Sequence, residues 1–357
     1  MIMFPMISGV EINILFLVFL GLAVGIVSGF IGVGGGFLMT PALIILGFPG
    51  NFAVGTSLAW ITGSALMGTL RHRQLGNIDM KLGICMIVGT MCGVEGGVRI
   101  LNRVKYMGLA DQAVLSTAIV ILLIVGAYTL WEAHRRKAQL DEMARRKEKL
   151  PPAMRLPPIS QRLQRINIPP MIHSAKSKLT ISLWIILGIG FVTGVLAGFI
   201  GVGGGFIMVP SLVYLVGLPS FMAVGTDMFQ IIFSAAFGCM RHTMSGNVII
   251  FAALILVVSS CPGVQLGVLI TRYVRGVSMR YILAVSILLC VLGSVLKLLD
   301  ILLELPGTWL QTGSIIVTFG GMGLVVAMIS GLFIMAIRHK NGKHIPIWVE
   351  SLICKEN

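Results

Sequence analysis

The sequence predicts an all-α polytopic membrane protein built from two homologous helical repeats, with short glycine-broken helices in each repeat and an extra C-terminal span. Three observations support this fold class. The composition is too apolar for a soluble chain, the apolar residues fall in runs long enough to cross a bilayer, and one glycine-rich motif occurs twice.

The composition excludes an ordinary soluble domain. Of the 357 residues, 56% are hydrophobic and 11% are charged, and the mean hydropathy is +0.97. Soluble domains are about half apolar and about a quarter charged. Many of the apolar runs approach the roughly 20 residues that an α-helix needs to cross ~30 Å of hydrocarbon. The solvent around most of this chain is therefore a lipid bilayer.

Nine apolar runs are long enough to span the membrane. They lie at about 12–31, 52–70, 82–98, 112–131, 179–200, 221–240, 248–271, 281–296 and 313–337. The first run has no basic segment before it and no A-x-A cleavage site, which favours a membrane helix over a signal peptide. Two shorter runs, 37–48 and 206–218, each follow a glycine cluster and contain a proline. They are half-helices or tilted segments, and the number of crossings stays open.

An internal duplication is the most informative feature of the chain. Gly29–Pro41 reads GFIGVGGGFLMTP and Gly198–Pro210 reads GFIGVGGGFIMVP, identical at eleven of thirteen positions. Further along, AVGT, Arg-His and Gly-Asn also recur in both halves. Such self-similarity at a fixed spacing identifies two homologous repeats.

The repeats and the charge pattern divide the chain into five parts. They are a membrane repeat at 1–131, a basic Pro-rich cytoplasmic linker at 132–178, a second repeat at 179–300, an extra span at 301–337 and a basic cytoplasmic tail at 338–357. The linker holds twelve Lys or Arg and four acidic residues. It is a solvated tether or a contact for anionic lipid headgroups, with the tether favoured.

Basic residues also bear on topology and on partners. The net charge of +14 comes mainly from residues between and after the apolar runs, so it indicates topology and not nucleic-acid binding. If each short segment crosses, the repeats are inverted and 22 of the 27 Lys and Arg lie on the linker side. The positive-inside rule mildly favours this inverted arrangement, with the N-terminus outside.

The two GVGGG breaks are the predicted substrate site. Short, Gly/Pro-interrupted segments at matching positions of two halves mark the binding site of many transporters. A glycine turn that enters a helix presents free N–H groups at the positive end of the helix dipole, which favours an anion. The predicted substrate-binding residues are Gly32, Gly34, Gly35, Gly36, Thr56, Gly201, Gly203, Gly204, Gly205 and Thr226. Tight helix packing is the alternative role of these glycines. Nucleotide binding is strongly disfavoured because no GK[ST] and no preceding strand accompany the glycines.

Ionisable residues inside spans are expensive and mark functional candidates. Glu95 aligns with Gln265 of the other repeat, and Asp227 aligns with Ser57, so each repeat carries one acid that the other lacks. Either acid could couple transport to protons, or could lie near the interface or pair with an arginine. The other coupling or gating candidates end matched spans, where a role as headgroup anchors is slightly favoured over gating: Arg71, His72, Arg241 and His242.

These motifs together resemble the sulfite exporter TauE/SafE family, also described as the toluene sulfonate uptake permease family. The resemblance rests on the duplicated glycine motif, the AVGTS and AVGTD segments that follow it, and the paired RH and GN dipeptides. It implies a duplicated helical bundle that moves sulfite, sulfonates, sulfoacetate or similar small oxyanions. The long basic linker and the extra C-terminal span depart from the family pattern.

The sequence therefore predicts a secondary transporter for a small oxyanion in the cytoplasmic membrane, working by alternating access and coupled to protons if either buried acid serves. A passive anion channel is one alternative, and a membrane sensor or assembly protein that acts through its basic linker is another. No catalytic constellation, metal-ligand spacing or cofactor motif is present in the sequence, so we expect neither an enzyme nor a cofactor. The anion, the coupling ion, the direction of transport and any homo-oligomer stay open.

Overall fold

The structure is a computed structural model that describes residues 2–3, 11–32, 34–146, 168–174, 176–177, 179–271, 273–274, 276–303 and 309–340. Eleven helices make up most of this described part, and nine of them are long and apolar enough to cross a membrane. The predicted fold class, an all-α polytopic membrane protein, is confirmed. Residues 147–167, 175 and 178 of the predicted linker and residues 341–357 of the predicted tail lie outside the described residues.

Each repeat contributes five helices in the same order. The first contains α1 (Ile14–Ile31), α2 (Gly36–Ile45), α3 (Gly50–Gln74), α4 (Met80–Tyr106) and α5 (Ala110–Arg146). The second contains α6 (Leu183–Ile200), α7 (Gly205–Ser211), α8 (Ser220–Met244), α9 (Ile250–Thr271) and α10 (Gly276–Leu303). A π-helical turn, Leu212–Val216, extends α7, and α11 (Trp309–Lys340) follows the second repeat.

Two short antiparallel hairpins, which no sequence pattern indicated, accompany the helices. One pairs β1 (Ile2–Met3) with β2 (Glu11–Ile12), and the other pairs β3 (Met171–Ser174) with β4 (Leu179–Ser182). The second hairpin rests on the start of α4. There the Asp79 carboxylate accepts hydrogen bonds from the hydroxyls of Ser174 and Ser177 as well as from the Leu82 amide of its own helix.

Helices α3 and α8 lie side by side and run in opposite directions. A carbon added at Gly68, late in α3, would touch the side chain of Met228, early in α8. One added at Gly238, late in α8, would lie 3.0 Å from Leu58, early in α3. Because these helices occupy equivalent positions in the two repeats, their opposite directions mean that the repeats are inverted. The favoured inverted arrangement is therefore what the structure has.

The remaining helices pack across the repeats with the same symmetry. Helix α1 lies parallel to α9, and α4 lies parallel to α6, so the first helix of each repeat packs on the fourth helix of the other. Glycines let these backbones approach closely, as small residues do in membrane helix pairs. Among the close pairs are Gly29 with Val264, Gly93 with Phe191, Gly97 with Val195 and Gly194 with Thr90.

These directions define the two ends of the bundle. Helix α1 starts at one end of the bundle, which we call the N-terminal side. Helix α5 ends at the other, which we call the linker side because the end of α5 belongs to the predicted linker. Helix α2 leads back toward the N-terminal side, where α3 begins. Each glycine break and its short helix thus make one crossing together, which gives five crossings per repeat. Helix α11 then returns the chain to the linker side.

The close glycine contacts predict a difference between two substitutions in the α4–α6 pair. Gly93→Ala places a carbon against the Phe191 carbonyl oxygen, whereas Gly188→Ala has no heavy atom within 4 Å. Both substitutions gain about 1 kcal/mol of helix propensity, but overpacking at Gly93 costs about 1–3 kcal/mol.

We therefore expect the unfolding midpoint in detergent to fall for Gly93→Ala and to stay level or rise for Gly188→Ala. Equal midpoints for the two variants would contradict the tight packing of α4 on α6.

Candidate functional site

Both glycine breaks have a backbone that only glycine adopts without strain. Six glycines in the two breaks have φ between +64° and +81°, namely Gly32, Gly34, Gly35, Gly201, Gly203 and Gly204. Left-handed backbone costs other residues roughly 1–2 kcal/mol each. The repeated GVGGG sequence is therefore needed for the chain to leave one helix and enter the next within a few residues.

The two breaks meet at the middle of the bundle. The side chain of Ile61, halfway along α3, lies 2.5 Å from a carbon added at Gly36 and 3.1 Å from one added at Gly203. A carbon added at Gly36 would also lie 2.6 Å from the carbonyl oxygen of Val202 in the other break. Helices α2 and α7 therefore begin close together at mid-depth, and each leads to an opposite side of the membrane.

The start of α2 presents backbone donors at this depth. The first N–H groups of a helix have no partner within the helix, and they lie at the positive end of its dipole. Within the described residues, no side chain caps the N-terminus of α2 or of α7. All of the predicted glycines of the site, Gly32, Gly34, Gly35, Gly36, Gly201, Gly203, Gly204 and Gly205, are buried. The arrangement is suited to a small anion.

The second break is tied to the first repeat by hydroxyl groups. Thr40 of α2 lies 3.0 Å from the Gly201 carbonyl oxygen and 2.9 Å from the Ser57 hydroxyl, so its hydrogen can serve either acceptor. Both side chains are completely buried. The residue equivalent to Thr40 in the second repeat is Val209, which has no hydroxyl. The second repeat therefore cannot form the matching hydrogen bond to the first break.

The first break instead packs on the part of α8 that contains its single acidic residue, Asp227. A carbon added at Gly32 would lie 2.5 Å from the side chain of Val224, and one added at Gly34 would lie 3.7 Å from that of Ile231. Asp227 lies three residues after the first of these contacts and four before the second, which places it on the same face of α8. The predicted coupling residue Asp227 is thus at the level of the first break.

Three polar atoms near the breaks are completely buried and have no hydrogen-bond partner among the described residues. They are the indole nitrogen of Trp60, Oδ2 of Asp227 and Oε1 of Gln230. Trp60 packs on the first break, since its ring lies 2.9 Å from a carbon added at Gly35. Because an unpartnered buried polar group costs free energy, such atoms are candidates for contact with a ligand or a proton.

The other predicted acid, Glu95, is paired with two arginines. Arg241 of α8 donates to both of its carboxylate oxygens at 2.5 and 2.8 Å, and Arg99 donates at 2.7 Å. This cluster lies toward the N-terminal side and joins α4 to α8. The repeat equivalents are Gln265 and Arg71, at the opposite end. Arg71 bonds Gln74 at 3.2 Å and, within the described part of the chain, forms no ion pair.

The two predicted histidines differ in their partners. Completely buried His242 has Nε2 3.0 Å from the Gly198 carbonyl oxygen, near the end of α6 and one turn before the second break. The ring nitrogen Nδ1 of His72 and that of His242 are buried and have no partner among the described residues. His242 therefore ties α8 to α6, while His72 forms no equivalent bond among the described residues.

The predicted threonines hold loops and do not face the breaks with free hydroxyls. The Thr56 hydroxyl accepts from the Ile249 amide at 3.2 Å, and the Thr226 hydroxyl accepts from the Asp79 amide at 3.0 Å. These bonds fix the starts of α9 and α4. The threonines position helices around the site, and their role in binding substrate stays a prediction.

Sequence reasoning missed Trp60, Gln230 and Thr40. One signal was available, because Trp60 and Gln230 occupy equivalent positions of the two repeats, as do Ser57 and Asp227. Aligning α3 with α8 shows two positions, one helical turn apart, at which the repeats carry different polar residues. The lack of hydrogen-bond partners could not be seen in the sequence.

Comparison with known proteins identifies relatives along most of the chain. A family model described as "Sulfite exporter TauE/SafE" matches residues 17–294 and 186–339. "Probable membrane transporter protein YunE" of Bacillus subtilis (strain 168) is 28% identical over 284 residues, which cover 76% of this chain and 94% of that protein. "Probable membrane transporter protein YjnA" of the same organism is 26% identical over 259 residues, covering 70% and 87%. A relative from Methanocaldococcus jannaschii, described as a "probable membrane transporter protein", is 28% identical over 203 residues, covering 55% and 60%. No solved structure matches.

Proposed function

We propose that this protein, which belongs to the TauE/SafE sulfite exporter family of membrane transporters, is a secondary transporter of a small oxyanion such as sulfite, a sulfonate or sulfoacetate. Its place of action is the cell membrane, where the anion binds between the two glycine breaks. The observation that carries the proposal is the meeting of both breaks at mid-depth beside Ile61.

The chemistry at the first break supports an anionic ligand. Helix α2 begins there with uncapped N–H groups, and the indole N–H of Trp60 is a further buried donor without a partner among the described residues. Donors fixed in a site of low dielectric bind an oxyanion more strongly than they would in water. Since indole is a donor only, it favours an acceptor such as a sulfite or sulfonate oxygen.

The inverted repeats support alternating access. In such transporters one repeat rocks against the other around a fixed site, and the two end states are related by the internal symmetry. The Glu95–Arg241 pair holds the bundle together on the N-terminal side, and the equivalent pair on the linker side is missing because Gln265 replaces the acid. We assign Glu95 and Arg241 as a gate on the N-terminal side.

Blocking the breaks is expected to abolish transport. Proteoliposomes with an imposed proton gradient would be tested for uptake of radiolabelled sulfite, sulfonate and sulfoacetate. A Gly35→Leu, Gly204→Leu double variant loses accumulation, because leucine cannot adopt the backbone or fit the space at mid-depth.

The milder Trp60→Phe keeps an aromatic ring and removes the N–H, so the KM for the transported anion rises roughly tenfold or more.

Matched controls are Gly320→Leu, where an added carbon has no heavy atom within 4 Å, and Trp131→Phe on an exposed side chain. Flux that only equilibrates would replace the transporter with an anion channel. No flux of any tested anion by folded wild type would refute transport and favour a role for the basic linker.

Restoring the missing ion pair is expected to reverse the conformational bias. Gln265→Glu places a carboxylate opposite Arg71 on the linker side, and Glu95→Gln removes the existing pair. A pair worth about 1 kcal/mol shifts a two-state population by roughly fivefold.

The readout is labelling by a membrane-impermeant maleimide at two repeat-equivalent probes, Cys239 and Thr69→Cys, in a background without other cysteines. Glu95→Gln raises labelling of Cys239, and Gln265→Glu lowers labelling at position 69. Equal labelling of all variants at both probes would contradict the gate.

A further inference from the structure

Asp227 and Gln230 form a buried pair in which one oxygen of each side chain lacks a hydrogen-bond donor. They lie one turn apart on α8, and Gln230 Nε2 donates to Asp227 Oδ1 at 2.9 Å. Their exposed fractions are 0% and 1%. The two remaining oxygens, Asp227 Oδ2 and Gln230 Oε1, are both acceptors, and neither has a partner among the described residues.

A single proton would satisfy both of these atoms. Bound to Oδ2, it makes Asp227 a carboxylic acid that can donate to Oε1, while the existing bond from Nε2 to Oδ1 stays in place. Acid and amide then form a closed ring of two hydrogen bonds. A buried carboxylate, in contrast, needs a cation, and no Lys or Arg in the described residues forms an ion pair with Asp227.

The surroundings offer few competing titratable groups. No ionisable side chain apart from hydroxyls occurs in helices α1, α6 and α7. The same is true of the described glycines of the first break. On α3 the nearest is His72, one turn beyond the Gly68 contact with α8, and Arg71 and Arg73 flank it. Helix α4 contributes Asp79, Lys81 and Cys85 near its start. Asp79 is already bonded to the two hairpin serines.

We propose that the Asp227–Gln230 pair is the proton-binding site that couples this transporter, an inference that rests on the proposed function. Oδ2 takes one proton from water on one side of the membrane and returns it on the other, and no other bond changes. Gln230 is a positioning residue, because its amide holds the acid in both protonation states. With the anion bound at the first break, the proton removes the repulsion between the two negative charges.

Comparison of the two repeats shows that this pair occurs only in the second repeat. The first repeat has Ser57 and Trp60 at the equivalent positions, neither of which carries a charge. Ser57 bonds Thr40, whereas among the described residues the Asp227 side chain bonds only the side-chain amide of Gln230 on its own helix. A structural role common to both repeats would not require an acid in one of them.

The first test measures proton binding without any transport substrate. Infrared difference spectra of the full chain in detergent, recorded between high and low pH, should contain the carbonyl band of a buried carboxylic acid. Asp227→Asn loses this band, and Gln230→Leu moves it to higher frequency because Oδ1 loses its hydrogen bond. Glu95→Gln, which alters the other predicted coupling acid, leaves it unchanged. A band that survives in Asp227→Asn overturns the proposal, even if transport is demonstrated.

The second test separates coupling from translocation in proteoliposomes with radiolabelled sulfite. Asparagine at position 227 mimics the protonated acid, since its N–H can donate to Oε1. Asp227→Asn is therefore expected to keep sulfite counterflow and to lose accumulation driven by the pH gradient. Glu95→Gln changes both rates together and leaves their ratio unchanged.

Three outcomes would overturn the coupling role. One is gradient-driven accumulation that persists in Asp227→Asn, and another is its loss in His72→Gln with Asp227→Asn unaffected. The third is loss of counterflow and accumulation together in an Asp227→Asn protein that elutes and unfolds like wild type. If wild type moves no anion, the proposed function fails, and the infrared band alone then decides whether Asp227 binds a proton.

Discussion

Hydrocarbon supplies no hydrogen-bond partners, so a helix that breaks inside a bilayer leaves its backbone polar groups to be satisfied by protein or by a ligand. Both breaks of this chain occur in the middle of the bundle, where Gly36 and Gly203 pack on Ile61. Burial of these breaks between α3 and α8 is what makes them tolerable. The helix directions, the close glycine pairs and the polar residues of α8 are all arranged around this requirement.

Inversion of the repeats gives the two breaks different surroundings at the two ends of the membrane. The second break is bonded to the Thr40 hydroxyl, whereas the first packs on the ring of Trp60 and lies at the level of Asp227. The ion pair of Glu95 with Arg241 likewise occurs on only one side. A symmetric scaffold with asymmetric polar residues can bind one anion and favour one of its two end states. We regard these differences between equivalent positions as the specific chemistry of this chain.

Much of the architecture followed from sequence because each signal was local. Apolar length identified the spans, the repeated GVGGG motif located the breaks, and the charge of the loops favoured inversion. The contacts of Asp227 and Glu95 could not be predicted, since an acid in a span looks the same whether an arginine is nearby or absent. The hydroxyls of Thr56 and Thr226 matched the motif, yet they bond the amides of Ile249 and Asp79. Those bonds depend on how the repeats pack together, which no local pattern encodes.

The central claim is that an oxyanion binds where the two breaks meet. Anomalous diffraction from crystals of the protein soaked in selenite, a heavier analogue of sulfite, tests it most directly. We predict one anomalous peak at mid-depth between Gly35 and Gly204, within hydrogen-bond distance of the α2 N-terminus or the Trp60 indole nitrogen. Peaks confined to arginines and lysines at the two ends of the bundle would contradict the account.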